Sequence, residues 1–123
     1  MDDKTTSNLI LLTYKGKALL MYKSESAIDK EQHNWSFIGG RRVGTEPIEQ
    51  TMSMRVEKEA GIKIGEVERL SDSFYIARLT DENVNNIKRD EHQLLDFFTF
   101  RELQKLPLSN QTQQFVQKYG TLI

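Results

Sequence analysis

The chain has 123 residues, 37% hydrophobic and 28% charged, the proportions of one globular domain around one core rather than of a disordered segment. Its 17 basic and 18 acidic residues leave a net charge of -1, which excludes a broadly basic surface for nucleic acid or an anionic membrane. Cysteine is absent, so disulfides, zinc-thiolate sites and cysteine nucleophiles are excluded as well.

The first residues, MDDKTTSNLILLTYKGK, begin acidic and hold only a short apolar run. They read as neither a signal peptide nor a spanning helix, and a soluble cytoplasmic protein is the expectation. Asn8–Tyr14 and Ala18–Tyr22 are apolar runs of strand length around Lys15-Gly16-Lys17, which predicts a hairpin. Lys23–Asn34 is polar and loop-like, and Trp35–Ile38 is a third strand expected to stop at Gly39-Gly40. A helix follows. Pro47 suits its first turn, Gly61 suits the left-handed position past its end, and Ile48, Met52, Val56 and Ala60 form one apolar stripe between them.

Lys63–Leu79 carries strand-favouring runs around Val67 and over Phe74–Ala77, for two strands or one long bent one. Thr80–Glu91 is polar and predicted as loop, and Gln93–Phe100 as strand. Two short helices are expected at Arg101–Lys105 and Asn110–Tyr119, separated by Pro107. This order of elements predicts an α+β layered domain with a mixed or antiparallel sheet. The histidines, His33 and His92, are far apart in sequence and no local pattern joins them to a nucleophile.

One segment carries more than fold. Gly40, Glu46, Val56, Glu59, Gly61 and Ile62 occur in the order and spacing of the Nudix box, matching six of its nine specified positions. Upstream, Trp35-Ser36-Phe37-Ile38-Gly39-Gly40 resembles the strand exit that leads into that box, with Ile38 in place of a proline. Downstream, Phe97–Leu103 followed by Leu106-Pro107-Leu108 resembles the last strand and following helix start of the same family. The chain therefore resembles the Nudix hydrolase superfamily from roughly Asn8 to Val116. The resemblance implies a single domain over residues 1 to 123 with a mixed sheet packed between helices, an α/β/α sandwich.

It also implies a MutT-like pyrophosphatase acting on a nucleoside diphosphate-linked or related phosphoanhydride. Magnesium or manganese would be held by Glu59, Glu46, the Gly39 carbonyl and an acid from the loop before the last strand, for which Glu91 is the best candidate. Such an ion needs several hard oxygen ligands and neutralises charge as the bond breaks. Glu46 and Glu59 are then the candidate catalytic residues.

The sequence departs from the box at three positions: Met54 replaces the arginine, and Arg55 and Lys58 replace two glutamates. Box acids spaced in this way share one helix face, so two of three carboxylates there have become cations. Arg55 and Glu59 are four residues apart and can pair, and Glu59 lies at the edge of the apolar stripe, where a carboxylate wants a partner. Met54 cannot brace Glu46, which is left to Arg41, Arg42 or Arg55, or to the helix N-terminus. Glu57 points away from Arg55, and Glu49 and Asp96 read as first-turn and strand-surface acids.

Two functions follow. One is a divergent hydrolase using the remaining acids. The other is a Nudix-fold module that binds a small phosphorylated, nucleotide-like ligand through Arg41, Arg42, Arg55 and Lys58, since arginine forks match phosphate oxygens without a metal. A protein-interaction role is a third reading, without a motif of its own. Tyr75 and Arg78 are candidate pocket residues, most aromatics are expected in the core, and a homodimer is expected by analogy with the fold.

Overall fold

The computed structural model describes residues 8 to 23, 34 to 42, 44 to 88 and 94 to 123. Strands β1 (Asn8–Tyr14) and β2 (Lys17–Lys23) form the expected hairpin. Its turn is Lys15-Gly16, with φ of 49° and 81°, the two successive left-handed residues that suit the twist of a two-residue hairpin. The two strands pair only beside this turn, at Thr13–Ala18 and Tyr14–Lys17, and then diverge.

The third predicted strand fills that fork as two. β3 (Asn34–Ser36) pairs antiparallel with β2, and β4 (Ile38–Gly40) pairs antiparallel with β1. The break falls at Phe37, whose backbone N–H donates to the Thr112 hydroxyl at 3.2 Å rather than to a strand. Gly39 and Gly40 are the last two residues of β4, whereas the sequence predicts that the strand stops before them. Gly39 is required there, because a Cβ would lie 2.1 Å from the Asn8 carbonyl oxygen.

Helix α1 (Ile48–Ala60) has the predicted bounds. Pro47 stands just ahead of the first turn, and its carbonyl accepts from the N–H groups of Gln50 and Thr51. Gly61 closes the helix at φ 74°, its N–H donating to the Glu57 carbonyl. Then come β5 (Glu68–Ser71), which begins after Val67, and β6 (Phe74–Arg78). The polar stretch expected to be loop contains helix α2 (Asp81–Asn85), capped reciprocally by Thr80 and Asn83.

β7 (Leu94–Thr99), α3 (Phe100–Leu103) and α4 (Asn110–Tyr119) complete the chain with a closing turn at Gly120–Leu122. Thr99 and Glu102 cap α3, and Ser109 caps α4.

The sheet runs β3-β2-β1-β6-β5, with β4 on β1 and β7 on β2. Among the described strands only β1 and β6 pair in parallel, so the sheet is mixed. Both faces of β1 are buried, which explains its unbroken apolar run. Ile10, Leu12, Leu19 and Ile38 pack with Met52, Val56 and Ala60 of α1 on one face. Leu9, Leu11, Leu20 and Phe37 pack with Phe115 and Val116 of α4 on the other. The result is the layered α+β domain that the order of elements predicts, in the three layers that the resemblance implies. No helix among the described residues is long and apolar enough to cross a membrane.

Candidate functional site

The described residues between Gly40 and Ile62 form a loop and helix on the α1 side of the sheet. The apolar stripe fixes the rotation of α1, since Met52, Val56 and Ala60 are fully buried. That rotation points Arg55 and Glu59 along the edge of the stripe, towards the end of β4. Arg55 lies against the backbone of β4, where a Cβ on Gly40 would come within 2.7 Å of its Nε. The absence of a side chain at Gly40 is what admits it.

Arg55 makes two contacts there. Its Nε–H donates to the Gly39 carbonyl oxygen at 3.0 Å. Its Nη2 lies 3.4 Å from Oε2 of Glu59, the pair expected from their spacing. Glu59 is the more enclosed partner, its side chain 17% exposed against 35% for Arg55. A charged donor on a carbonyl oxygen is among the stronger protein hydrogen bonds, and here it orients the rest of the fork towards Glu59.

Two of the groups that the resemblance gives to a metal, the Gly39 carbonyl and Glu59, are therefore both engaged by one guanidinium. Lys58 adds a second positive charge to the same helix, and among the described residues no three Asp, Glu, His or Cys side chains come together. A magnesium site needs about six oxygens in near-octahedral array, and this arrangement does not fit one. Glu91, another expected metal ligand, and both histidines lie outside the described residues.

Glu46 has a different partner from any of the arginines proposed for it. The Thr51 hydroxyl donates to its Oε2 at 3.0 Å. Thr51 is buried in the first turn of α1, so Glu46 is held beside the positive end of the helix dipole. The part of Thr51 was not foreseen from sequence, although a hydroxyl five residues after an acid and one turn into a helix is a recognisable signal.

Arg41, Arg42 and Lys58 are exposed and make no side-chain hydrogen bond or ion pair among the described residues. Arg41 follows directly on Gly40, beside the Arg55 side chain. Among the described residues the site thus holds one half-buried, oriented arginine, with Arg41, Arg42 and Lys58 exposed and without a side-chain partner. Met54, in the position of the box arginine, is 52% exposed.

Tyr75 and Arg78 do not share a pocket. Tyr75 is 2% exposed in the layer beneath α1, where burial raises its hydroxyl above the usual tyrosine range, against the opposing pull of Arg69 and Arg42. Arg78 points to the opposite face and lines a cleft of about 850 Å³ along β5 and β6, with Glu66, Glu68, Ile76 and Leu122. That cleft is separate from the box. Of the aromatic residues expected mostly in the core, Phe74 and Tyr75 are buried, Trp35, Phe97 and Phe98 are partly buried and Phe100 is exposed; Phe115 stacks on Phe74 at 4.4 Å, and Phe37 meets Phe115 edge-on at 5.0 Å.

No protein-family model and no curated protein matches the sequence. Solved structures do match the fold. A mutT/nudix family protein from Listeria innocua superposes with a TM-score of 0.75 at 16% identity, covering 94% of this chain and 91% of that one. A MutT NUDIX hydrolase from Burkholderia pseudomallei gives 0.71 at 17% identity, with 90% and 94% covered. NrtR from Shewanella oneidensis, also solved with a 27mer DNA, gives 0.70 at 18% identity, with 90% of this chain covering 59% of that one. Together with the mixed sheet and the loop and helix from Gly40 to Ile62, these superpositions establish that the chain has the Nudix fold.

Proposed function

We propose that this protein is a cytoplasmic Nudix-fold module that binds a small phosphorylated, nucleotide-like ligand, with metal-dependent hydrolysis lost or strongly reduced. One observation carries the reading: the Arg55 guanidinium joins the Gly39 carbonyl to Glu59, in the place where the resemblance puts a cation. A guanidinium there supplies positive charge and paired donors for phosphate oxygens, but it cannot activate a water as a metal ion does. Arg41, Arg42 and Lys58 would complete the anion site. The balanced overall charge makes a small ligand the better partner than a DNA such as the one solved with NrtR.

The hydrolase reading retains one supporting observation. Glu59 and the Gly39 carbonyl converge on one guanidinium, so withdrawal of Arg55 would leave both facing a common point. Calorimetric titration of magnesium and manganese, with assays of nucleoside triphosphates and diphosphate conjugates for phosphate release, separates the two. Ligand binding without divalent metal, lost in Arg55→Glu and unaccompanied by turnover, is the expected result. Metal-dependent turnover abolished by Glu59→Gln would replace the module with the enzyme.

A further inference from the structure

The Arg55 side chain is held at one end and loosely matched at the other. Its Nε–H is fixed on the Gly39 carbonyl at 3.0 Å, a contact made by backbone that cannot leave. On the same edge of the fork Nη2 meets Glu59 at 3.4 Å, longer than a charge-assisted hydrogen bond between these groups usually is. Guanidinium carries five N–H donors in one plane, and of these only the Nε–H is hydrogen-bonded, while Glu59 stands by Nη2 as an ion pair.

Glu59 belongs to the same helix as Arg55 and is only 17% exposed, so its carboxylate stays near the fork whatever else is bound. From this geometry we infer that Glu59 is a built-in stand-in for a ligand oxyanion. The anion subsite is the position its carboxylate holds on Nη2 of Arg55, and a diphosphate group enters by displacing it. The inference rests on the anion-binding function proposed above and adds its regulation: an intramolecular competitor sets the affinity, while the bond to Gly39 keeps the fork aimed. A carboxylate that instead held a metal, or oriented the ligand, would act in the opposite direction, because its loss would weaken binding.

The test is calorimetric titration of inorganic pyrophosphate into the wild type, Glu59→Gln, Glu57→Gln and Arg55→Glu, without divalent metal. Glu57 is an exposed acid on the same helix, turned away from Arg55, and its substitution reports the general effect of removing one negative charge. Glu59→Gln is expected to bind roughly twofold to fivefold more tightly than the wild type, the range set by releasing a partly exposed ion pair. Glu57→Gln should gain less, and Arg55→Glu should lose binding. In the wild type, the Arg55 Nε–H resonance should persist on pyrophosphate addition while the Nη signals shift.

Equal or weaker binding by Glu59→Gln, with the wild type still binding, overturns the competitor and leaves the anion site standing. An equal gain in Glu57→Gln also overturns it. If neither the wild type nor Glu59→Gln binds pyrophosphate, both the competitor and the anion site fall.

Discussion

The Nε of Arg55 lies 3.0 Å from the carbonyl oxygen of Gly39, sixteen residues earlier in the chain. The contact depends on three features that arise separately. The apolar stripe of α1 sets the direction of Arg55, the pairing of β4 with β1 brings the Gly39 carbonyl alongside, and the bare Gly40 leaves room for the fork. Each is part of the loop and helix that the box spacing encodes. Two oxygens that the resemblance assigns to a metal, on Gly39 and Glu59, thus face an organic cation.

Arg55→Ala tests what the contact contributes to the fold as distinct from binding. It removes one hydrogen bond and one partly exposed ion pair, and it leaves the more enclosed Glu59 without its partner. A loss of about 1 kcal/mol is expected from chemical denaturation, with the slope unchanged. Pyrophosphate binding should fall by at least about tenfold in the same protein, because one oriented charged contact is worth roughly 1.5 to 3 kcal/mol. A large stability loss with unaltered binding would make Arg55 a structural residue only.

The paired substitution Arg55→Glu with Lys58→Glu restores the acidic triplet beside Glu59. Three carboxylates on one helix face, with the Gly39 carbonyl released, provide four oxygen donors from different groups, enough to hold a hard cation with water completing the shell. The double variant should gain manganese affinity by at least about tenfold over the wild type, read by paramagnetic broadening of the Gly39 and Glu59 signals. Broadening spread over surface acids, with none at Gly39, would show that the loop does not retain the geometry of a metal site.

A second ionic cluster, at the far end of β1, gives a pH prediction. The Tyr14 hydroxyl donates to Asp81 at 2.6 Å, and Lys15 lies 3.6 Å from the same carboxylate oxygen. The Tyr14 hydrogen bond is the leading cause that holds the Asp81 carboxyl below its ordinary range, with the Lys15 charge second. A carboxylate depressed in the folded state contributes stability above its unfolded pKa, and that contribution is lost as pH falls through the folded value. Tyr14→Phe should therefore move the Asp81 carbonyl titration upwards in carbon NMR. An unmoved midpoint would assign the depression to Lys15.

How much of this was legible depended on how local its cause was. Helix α1 was readable because the apolar repeat, Pro47 and Gly61 all lie within it, and the Arg55–Glu59 pair because it spans one turn. The split of the third strand was not, since the hydroxyl that takes the Phe37 N–H belongs to Thr112 in the last long helix. The bond from Arg55 to Gly39 was hidden for the same reason, needing the return of the chain from β4 to α1. Helix α2 was missed differently: its signal, Thr80 with Asn83, was local, but polar composition without an apolar stripe masked a helix of five residues.

The two glycines of β4 make separable demands, and alanine at each should show it. At Gly39 a Cβ would sit 2.1 Å from the Asn8 carbonyl oxygen and 2.7 Å from the Leu9 side chain. The oxygen belongs to the paired backbone of β1, which cannot yield without breaking the register, so Gly39→Ala should cost upwards of about 3 kcal/mol or prevent folding. At Gly40 the atom in the way is Nε of Arg55 at 2.7 Å, the far part of a flexible side chain. Gly40→Ala should therefore fold with a loss nearer 1 kcal/mol while pushing the guanidinium off the Gly39 carbonyl. If that bond aims the fork at the ligand, Gly40→Ala weakens pyrophosphate binding as Arg55→Ala does, and the double variant is no weaker than either alone. Additive losses in the double variant would show that Arg55 binds the anion without being positioned by Gly39.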